Sequence, residues 1–282
     1  MRTAYAATSS KLRILGFHGV EDLERFGVLI DAICDRYQPV GESEVAAALI
    51  DGVPLPAHAV WITFDDGLAS TFEAGPLLAA RHVSATAFVC PRVLDDGGWL
   101  WFQAAQAALD RDELIDVDGT PLTLQQLKGM DDVSRRRVHD RIAESLEAQG
   151  VESPTPVTTV TLGEWLDMGH TIGNHTWDHP CLDKCSPSSQ VDQMRRAHRA
   201  LAERGFRPRF FAYPNGNWTP EAAAEAEALG YVGSLLFDHR LSSVSGDPHR
   251  ISRLRIDSDA TLDRTLSILS GAHSAAFQVV AR

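Results

Sequence analysis

The sequence predicts an α/β fold in which about seven strand–helix units close, or nearly close, into a barrel carrying a helical insertion. Three observations predict it. Short runs rich in β-formers alternate with stretches of helical periodicity, a pattern that calls for parallel strands joined by helical crossovers. Two of these runs end in chemistry: 59–64 (AVWITF) stops at Asp65-Asp66-Gly67, and 170–174 leads into His175 and His179. With 282 residues, 44% hydrophobic and 23% charged, the chain has ordinary globular composition and ample length for a closed core, here read as a single domain over 1–282.

The first predicted strand is 12–17 (LRILGF), ending at His18-Gly19. Taken alone, such a histidine reads first as an ordinary loop or packed residue. Residues 23–37 place Leu23, Phe26, Leu29, Ile30 and Ile33 at helical spacing. An Ala-rich helix over 43–50 begins with a serine, and Asp51-Gly52-Val53-Pro54 opens a turn. Strand 59–64 and the Asp pair follow, then a helix over 68–80 and a strand over 85–89.

Residues 91–160 break this rhythm. Gly97-Gly98 precedes Trp99-Leu100-Trp101-Phe102, helical patterns run over 103–110, 123–129 and 132–149, and 151–160 is a Pro/Thr-rich loop. The segment reads as a helical insertion whose length would also suit a lid. Trp99 and Trp101 could form a sugar platform, although aromatic residues at this spacing are commonly core. A helix over 162–168, with Thr161 and Glu164 as a capping box and Gly169 as its stop, leads into strand 170–174. A helix over 188–204, a strand over 209–213 entering the turn Tyr213-Pro214-Asn215-Gly216, and a helix over 220–229 come next. Strands over 231–237 and 251–256 and a helix over 260–270 complete the pattern.

A net charge of −12 and the absence of a long basic run argue against a nucleic-acid partner. No run approaches 18 apolar residues, so no transmembrane helix is expected. The first twenty residues lack the apolar segment of a secretory signal. The sequence as it stands therefore reads as cytoplasmic, or extracytoplasmic if a leader lies outside it. Cys34, Cys90, Cys181 and Cys185 are too few for a disulfide framework. Nothing in the pattern speaks to oligomeric state.

Adjacent side chains on a strand face opposite ways, but both can turn into one cavity where the strand breaks. Two carboxylates that close need a proton or a cation between them. His175 and His179 stand four apart, as on one helical turn, and could reach one ion. Asp66, His175 and His179 are therefore expected to hold a divalent metal, leaving Asp65 as a base. These ligands suit zinc foremost, with cobalt, manganese and nickel as alternatives. A rival is a closed structural zinc site of His175, His179, Cys181 and Cys185, which leaves the Asp pair unexplained. With a catalytic ion, the pKa of water would fall from 15.7 towards about 7, and Asp65 would take the proton as the water attacks a carbonyl. The turn at Tyr213 and Asn215 could offer N–H groups to the oxyanion. The leaving amine needs an acid, and His18 is a candidate because catalytic groups gather at the carboxyl ends of barrel strands.

These residues resemble the motifs of polysaccharide deacetylases, the NodB-homology group of carbohydrate esterases (family 4-like). Thr63-Phe64-Asp65-Asp66-Gly67 is similar to the first motif, TFDDG, and His175-Thr176-Trp177-Asp178-His179 to the second, H-S/T-x-x-H. Phe211-Ala212-Tyr213-Pro214-Asn215-Gly216 resembles the third in its FAYPxG variant, and the resemblance runs over roughly 12–256. It implies a distorted (β/α)7, TIM-barrel-like fold, Asp65 as base, and Asp66, His175 and His179 as the metal triad. It also implies hydrolysis of an N-acetyl group on an amino sugar or polysaccharide, with release of acetate. Phe17-His18-Gly19-Val20 resembles the first-strand segment that carries the acid histidine in poly-N-acetylglucosamine deacetylases, so His18 is the expected acid. The arginine that tethers the base in other members is replaced by Ala212; Arg253 resembles an arginine of the FAYP variants that could take over. The usual C-terminal Leu-His motif is not evident, and Ala272-His273 matches it poorly. Rival readings are hydrolysis of a formyl or cyclic amide on the same scaffold, and a barrel that binds glycan without catalysis.

Overall fold

The computed structural model describes residues 2–111, 116–117 and 120–272; His273 lies outside the described residues. Its strands are β1 (Arg13–Phe17), β2 (Gln38–Pro39), β3 (Ala59–Phe64), β4 (Ala85–Val89), β5 (Asp116–Val117), β6 (Thr120–Pro121), β7 (Thr171–Asn174), β8 (Phe210–Ala212), β9 (Gly233–Leu235) and β10 (Leu254–Arg255). The helices up to the insertion are α1 (Arg2–Ala7), α2 (Leu23–Cys34), α3 (Glu42–Ile50), α4 (Ala69–Glu73) and α5 (Gly75–Ala79). The insertion holds α6 (Trp101–Leu109), α7 (Leu124–Gly129) and α8 (Asp132–Ala148). After it come α9 (Thr159–Asp167), α10 (Pro187–Glu203), α11 (Pro220–Ala228) and α12 (Leu262–Leu269).

β1, β3, β4, β7, β8 and β9 pair in chain order, each parallel to the next, and β10 pairs parallel with β1. The circuit closes through one parallel bridge, Leu235 with Ile251, where Leu236 N–H donates to Ile251 O at 2.7 Å. This is the distorted (β/α)7 barrel, with its seam between β9 and the approach to β10. The two-residue β2 covers the edge of β3 at Ala59 and Val60, below the reach of β4.

Strand alternation sorts the core into two layers. Leu15, Phe17, Ile62, Phe64, Ala87 and Val89 join the layer under the helices, packed with Phe26, Ile30, Leu78 and Trp165. Ile14, Trp61, Phe88, Phe210 and Ala212 form the inner layer. The interior is full: a Cβ on Gly16 of β1 would collide with the Phe237 ring. Trp61 Nε1–H finds its acceptor inside, at Thr86 Oγ1 3.2 Å away.

Several expected elements shift for local reasons. The helix expected over 68–80 splits into α4 and α5 at Gly75-Pro76, because proline has no N–H to donate and its ring clashes with the carbonyl four residues back. α9 starts earlier than expected: Thr158 caps it by accepting from Thr161 N–H at 3.1 Å, so the Thr161–Glu164 capping box is not used. α1 was not expected; Tyr5 docks it, stacking on His58 with ring centroids 3.8 Å apart. The insertion builds its own apolar cluster from Trp101, Ala104, Leu127, Val138, Ile142 and Leu146. It also carries the antiparallel β5–β6 ribbon, too short to show in hydrophobic periodicity. Among the described residues, no helix is long and apolar enough to cross a membrane.

Candidate active site

Asp65 continues the inward series of β3, and its N–H extends the ladder by donating to Phe17 O at 2.9 Å. Alternation alone would send Asp66 outward. Its backbone is left-handed instead (φ 71°), as is that of Gly67 (φ 73°), and this reversal turns the second carboxylate into the same cavity. There Asp66 Oδ1 lies 3.4 Å from His175 Nε2 and 3.2 Å from His179 Nε2. Asp65 Oδ2 lies 4.0 Å from His175 Nε2. All four side chains are buried.

The two histidines do not share a helical turn, which corrects that expectation. They sit on a loop after β7 with Thr176 (φ 70°) and His179 (φ 60°) both left-handed. Local bonds close the loop: Thr176 N–H donates to Asn174 Oδ1 at 2.7 Å, and His179 N–H to Thr176 Oγ1 at 3.1 Å.

The residues fit a metal. Among the described residues, Asp66, His175 and His179 bring a carboxylate oxygen and two ring nitrogens within 4.8 Å of one another. Asp66 Oδ1 and His175 Nε2 are buried without a hydrogen-bond partner, which leaves both atoms free to ligate. His175 Nδ1 lies 2.8 Å from Ala212 O; a carbonyl only accepts, so Nδ1 carries the hydrogen and Nε2 keeps its lone pair for a ligand bond. Separations of 3.2 and 3.4 Å match the edge of a tetrahedron whose metal–ligand bonds are about 2.0–2.1 Å.

Electrostatics point the same way. Burial pushes the Asp65 and Asp66 carboxyls up, but Arg253 and His175 beside the first, and His179 and His175 beside the second, outweigh it and hold both below the usual carboxylate range. Burial drives His179 down to about 4, so its ring is neutral, as a ligand must be. Burial also pulls His175 down, yet Asp65 and Asp66 outweigh it and raise it.

Arg253 supplies the tether that Ala212 cannot. Buried completely, it forks onto Asp65 with Nη1 2.7 Å from Oδ1 and Nη2 2.7 Å from Oδ2. Its Nε donates to Leu236 O at 2.8 Å, and its guanidinium lies 4.9 Å from the Phe237 ring centre. His18 is exposed at the end of β1 and lines the cleft, edge-on to Phe237 with centroids 5.5 Å apart. Asn215, left-handed at φ 56°, also lines the cleft. Tyr213 does not reach it. Its N–H donates to Leu235 O at 3.1 Å within the sheet, and its OH donates to His249 O at 3.0 Å, so its expected place among the oxyanion donors is corrected.

The Trp pair divides. Trp99 lines the cleft, whereas Trp101 is buried in the insertion core and donates Nε1–H to His179 O at 2.9 Å. The four-ligand site with Cys181 and Cys185 does not form. Cys181 packs in the insertion core, Cys185 Sγ–H donates to Cys181 O at 3.4 Å, and burial pushes the Cys185 thiol up to about 12.

The cleft above the triad holds about 840 Å³. The insertion forms one wall with Trp99, Phe102, Gln103 and Gln106; Phe237, Arg255 and Asp257 line it too. Sequence reasoning missed Phe237, Gln103 and Arg255. No local motif marks them, since each is a lone residue brought in by the fold.

The barrel thus brings to its strand ends a buried carboxylate and two imidazoles that could hold one metal ion, beside a second carboxylate held by a guanidinium. The profile of the family described as polysaccharide deacetylase matches residues 52–234, more than half of the chain, and the chain belongs to this family. A chitooligosaccharide deacetylase from Bradyrhizobium sp. (strain ANU 289) is 34% identical over 64 residues, 22% of this chain and 29% of that protein. The matched part thus spans under a third of that curated relative. Among solved structures, the Streptococcus pyogenes deacetylase PplD in complex with acetate aligns with a TM-score of 0.63 at 19% identity, covering 92% of this chain and 98% of that one. IcaB from Ammonifex degensii aligns at 0.64 and 18%, covering 93% and 97%. A de-N-acetylase from Aggregatibacter actinomycetemcomitans aligns at 0.62 and 17%, covering 92% and 99%. At these identities the likeness is one of fold.

Proposed function

We propose that the protein is a metal-dependent hydrolase that removes N-acetyl groups from an amino sugar within a saccharide and releases acetate. The observation that carries this reading is the buried Asp66–His175–His179 triad beside a carboxylate forked by Arg253, at the floor of an open cleft. Membership of the polysaccharide deacetylase family supports the reaction class, and the short match to a chitooligosaccharide deacetylase supports an N-acetylated sugar.

Asp66, His175 and His179 would hold the divalent ion, zinc foremost, with cobalt, manganese and nickel also suited to such ligands. When bound, the ion supplies Lewis-acid polarisation of the acyl oxygen and makes water a stronger acid. The chain's own groups do the rest. Arg253 keeps Asp65 ionised and fixes its plane, and each carboxylate oxygen keeps a further lone pair for a proton. Asp65 takes the proton of the attacking water as the new C–O bond forms. His18 delivers a proton to the amide nitrogen as the C–N bond breaks, so acetate and a free amine leave. Asn215, which lines the cleft, would be the candidate donor to the oxyanion. Trp99 and Phe102 offer apolar faces to sugar rings, and Gln103 can bond to hydroxyls.

The test is acetate release from N-acetylated chitooligosaccharides by zinc-loaded protein. Asp65→Asn should abolish release while zinc stays bound in stoichiometric amount. Undiminished release by that variant, or no release from any N-acetylated saccharide by the unaltered protein, would refute the proposal.

A further inference from the structure

The loop that carries His175 and His179 has two left-handed non-glycine residues, Thr176 and His179. A left-handed backbone at such residues persists only where surrounding contacts over-determine it. Part of the restraint comes from the barrel. His175 N–H donates to Val89 O at 3.0 Å, and Asp178 N–H donates to Gln193 Oε1 of α10 at 3.2 Å. The insertion adds a further restraint. Arg136 of α8 forks onto the Asp178 carboxylate, with Nη1 2.6 Å from Oδ2 and Nη2 3.0 Å from Oδ1. Its Nε also bonds Asp132 Oδ2, one turn earlier on α8, at 2.8 Å, so the fork is aimed before it meets the loop. Asp132 Oδ1 in turn accepts from Arg135 at 2.6 Å, and the Arg135 guanidinium lies 5.3 Å from the ring centre of Trp101, the residue bonded to His179 O.

From this connection we propose that Arg136 is a positioning residue of the metal site, acting through Asp178 to hold the His175–His179 loop in its ligating form. The inference rests on the metal-site reading above. A planar fork fixes the orientation of a carboxylate, which a lone ammonium cannot do. Asp178 lies directly before His179, so fixing its side chain restrains the backbone that sets the second imidazole. The helical insertion then does more than wall the cleft: it braces one side of the triad, and the barrel braces the other.

The experiment measures zinc affinity of the full chain by chelator competition, together with the visible spectrum of the cobalt(II) form. Arg136→Met should bind zinc about 10–100-fold more weakly, the usual effect of removing support behind a ligand, and should alter the cobalt bands. Arg136→Lys, which keeps the charge without the fork, should fall between. Arg204→Met, which breaks an ion pair with Asp95 instead, should leave both readouts unchanged. The double variant Arg136→Met/Asp178→Asn should bind within about two-fold of Arg136→Met, because the two residues act as one unit. Zinc affinity of Arg136→Met equal to that of the unaltered protein, or losses that multiply in the double variant, would overturn the clamp. Undiminished zinc binding by His179→Ala would overturn the triad, and the clamp with it.

Discussion

Arg253→Met isolates what the tether contributes. Arg253 is fully buried and Asp65 is 3% exposed, so solvent screens their attraction little. The substitution removes two charge-assisted bonds of 2.7 Å and leaves a buried carboxylate uncompensated. Removing one partner of such a pair costs roughly 3–5 kcal/mol. For domains of 150–250 residues, about 2–4 °C of Tm is lost per kcal/mol, which gives a fall of roughly 6–20 °C. The pH dependence should change sign. In the unaltered protein the pKa of Asp65 is held below its unfolded value, so this group's stabilisation is present above about pH 3.9 and is lost as pH falls through the lowered value. Without Arg253, burial dominates and the folded pKa rises above the unfolded one. Stability from this group is then greatest below about pH 3.9 and falls as pH rises through the raised value. Thermal scans across pH, all in the same chelator, read both effects. Arg253→Met/Asp65→Asn should regain part of the lost Tm, because it removes the uncompensated charge. A double variant no more stable than Arg253→Met would refute the reasoning.

Two further outcomes test the site. His175→Ala should lose the metal, since its Nε2 is a buried orphan aimed at Asp66; elemental analysis showing stoichiometric metal in that variant would remove it from the ligand set. His18→Ala should slow acetate release by about 10²–10⁴ with zinc binding intact if it is the acid, and an unchanged rate would return it to the role of a cleft-wall residue.

The barrel was legible because each of its long strands announces itself as a short apolar run, and the triad because its three members sit in two compact motifs. Arg253 could be named from a weak resemblance, but its fork onto Asp65 spans 188 positions of chain and leaves no local trace. Phe237 was invisible for a similar reason: the room for its ring is made by the absent side chain of Gly16, on the far side of the sequence. Tyr213 was misplaced because a motif says which residues are close in sequence, while strand alternation decides which of them face the cavity. Arg136 stands between Arg135 and Arg137 with nothing in the sequence to single it out, and only the docking of α8 against the histidine loop brings it to Asp178.

A left-handed backbone links these cases. Among the described residues with side chains, positive φ occurs at Asp66, Thr176, His179 and Asn215, and at four other positions. The four named residues lie just past the carboxyl ends of β3, β7 and β8, and Asp66, His179 and Asn215 line one cleft. An extended strand delivers alternate residues to the barrel interior and no more, so two successive carboxylates cannot both reach an ion from it. One left-handed step reverses the direction of the next side chain, and aspartate and asparagine tolerate that conformation better than most residues. The pair Asp65-Asp66 divides its work by that means. The first remains on the strand, where Arg253 can fork onto it, and the second swings past the strand end to face the two imidazoles. The strain sits where the side chains converge, and the contacts holding it run from the Asn174 side chain within the loop to Gln193 of α10 and the Arg136 fork of α8.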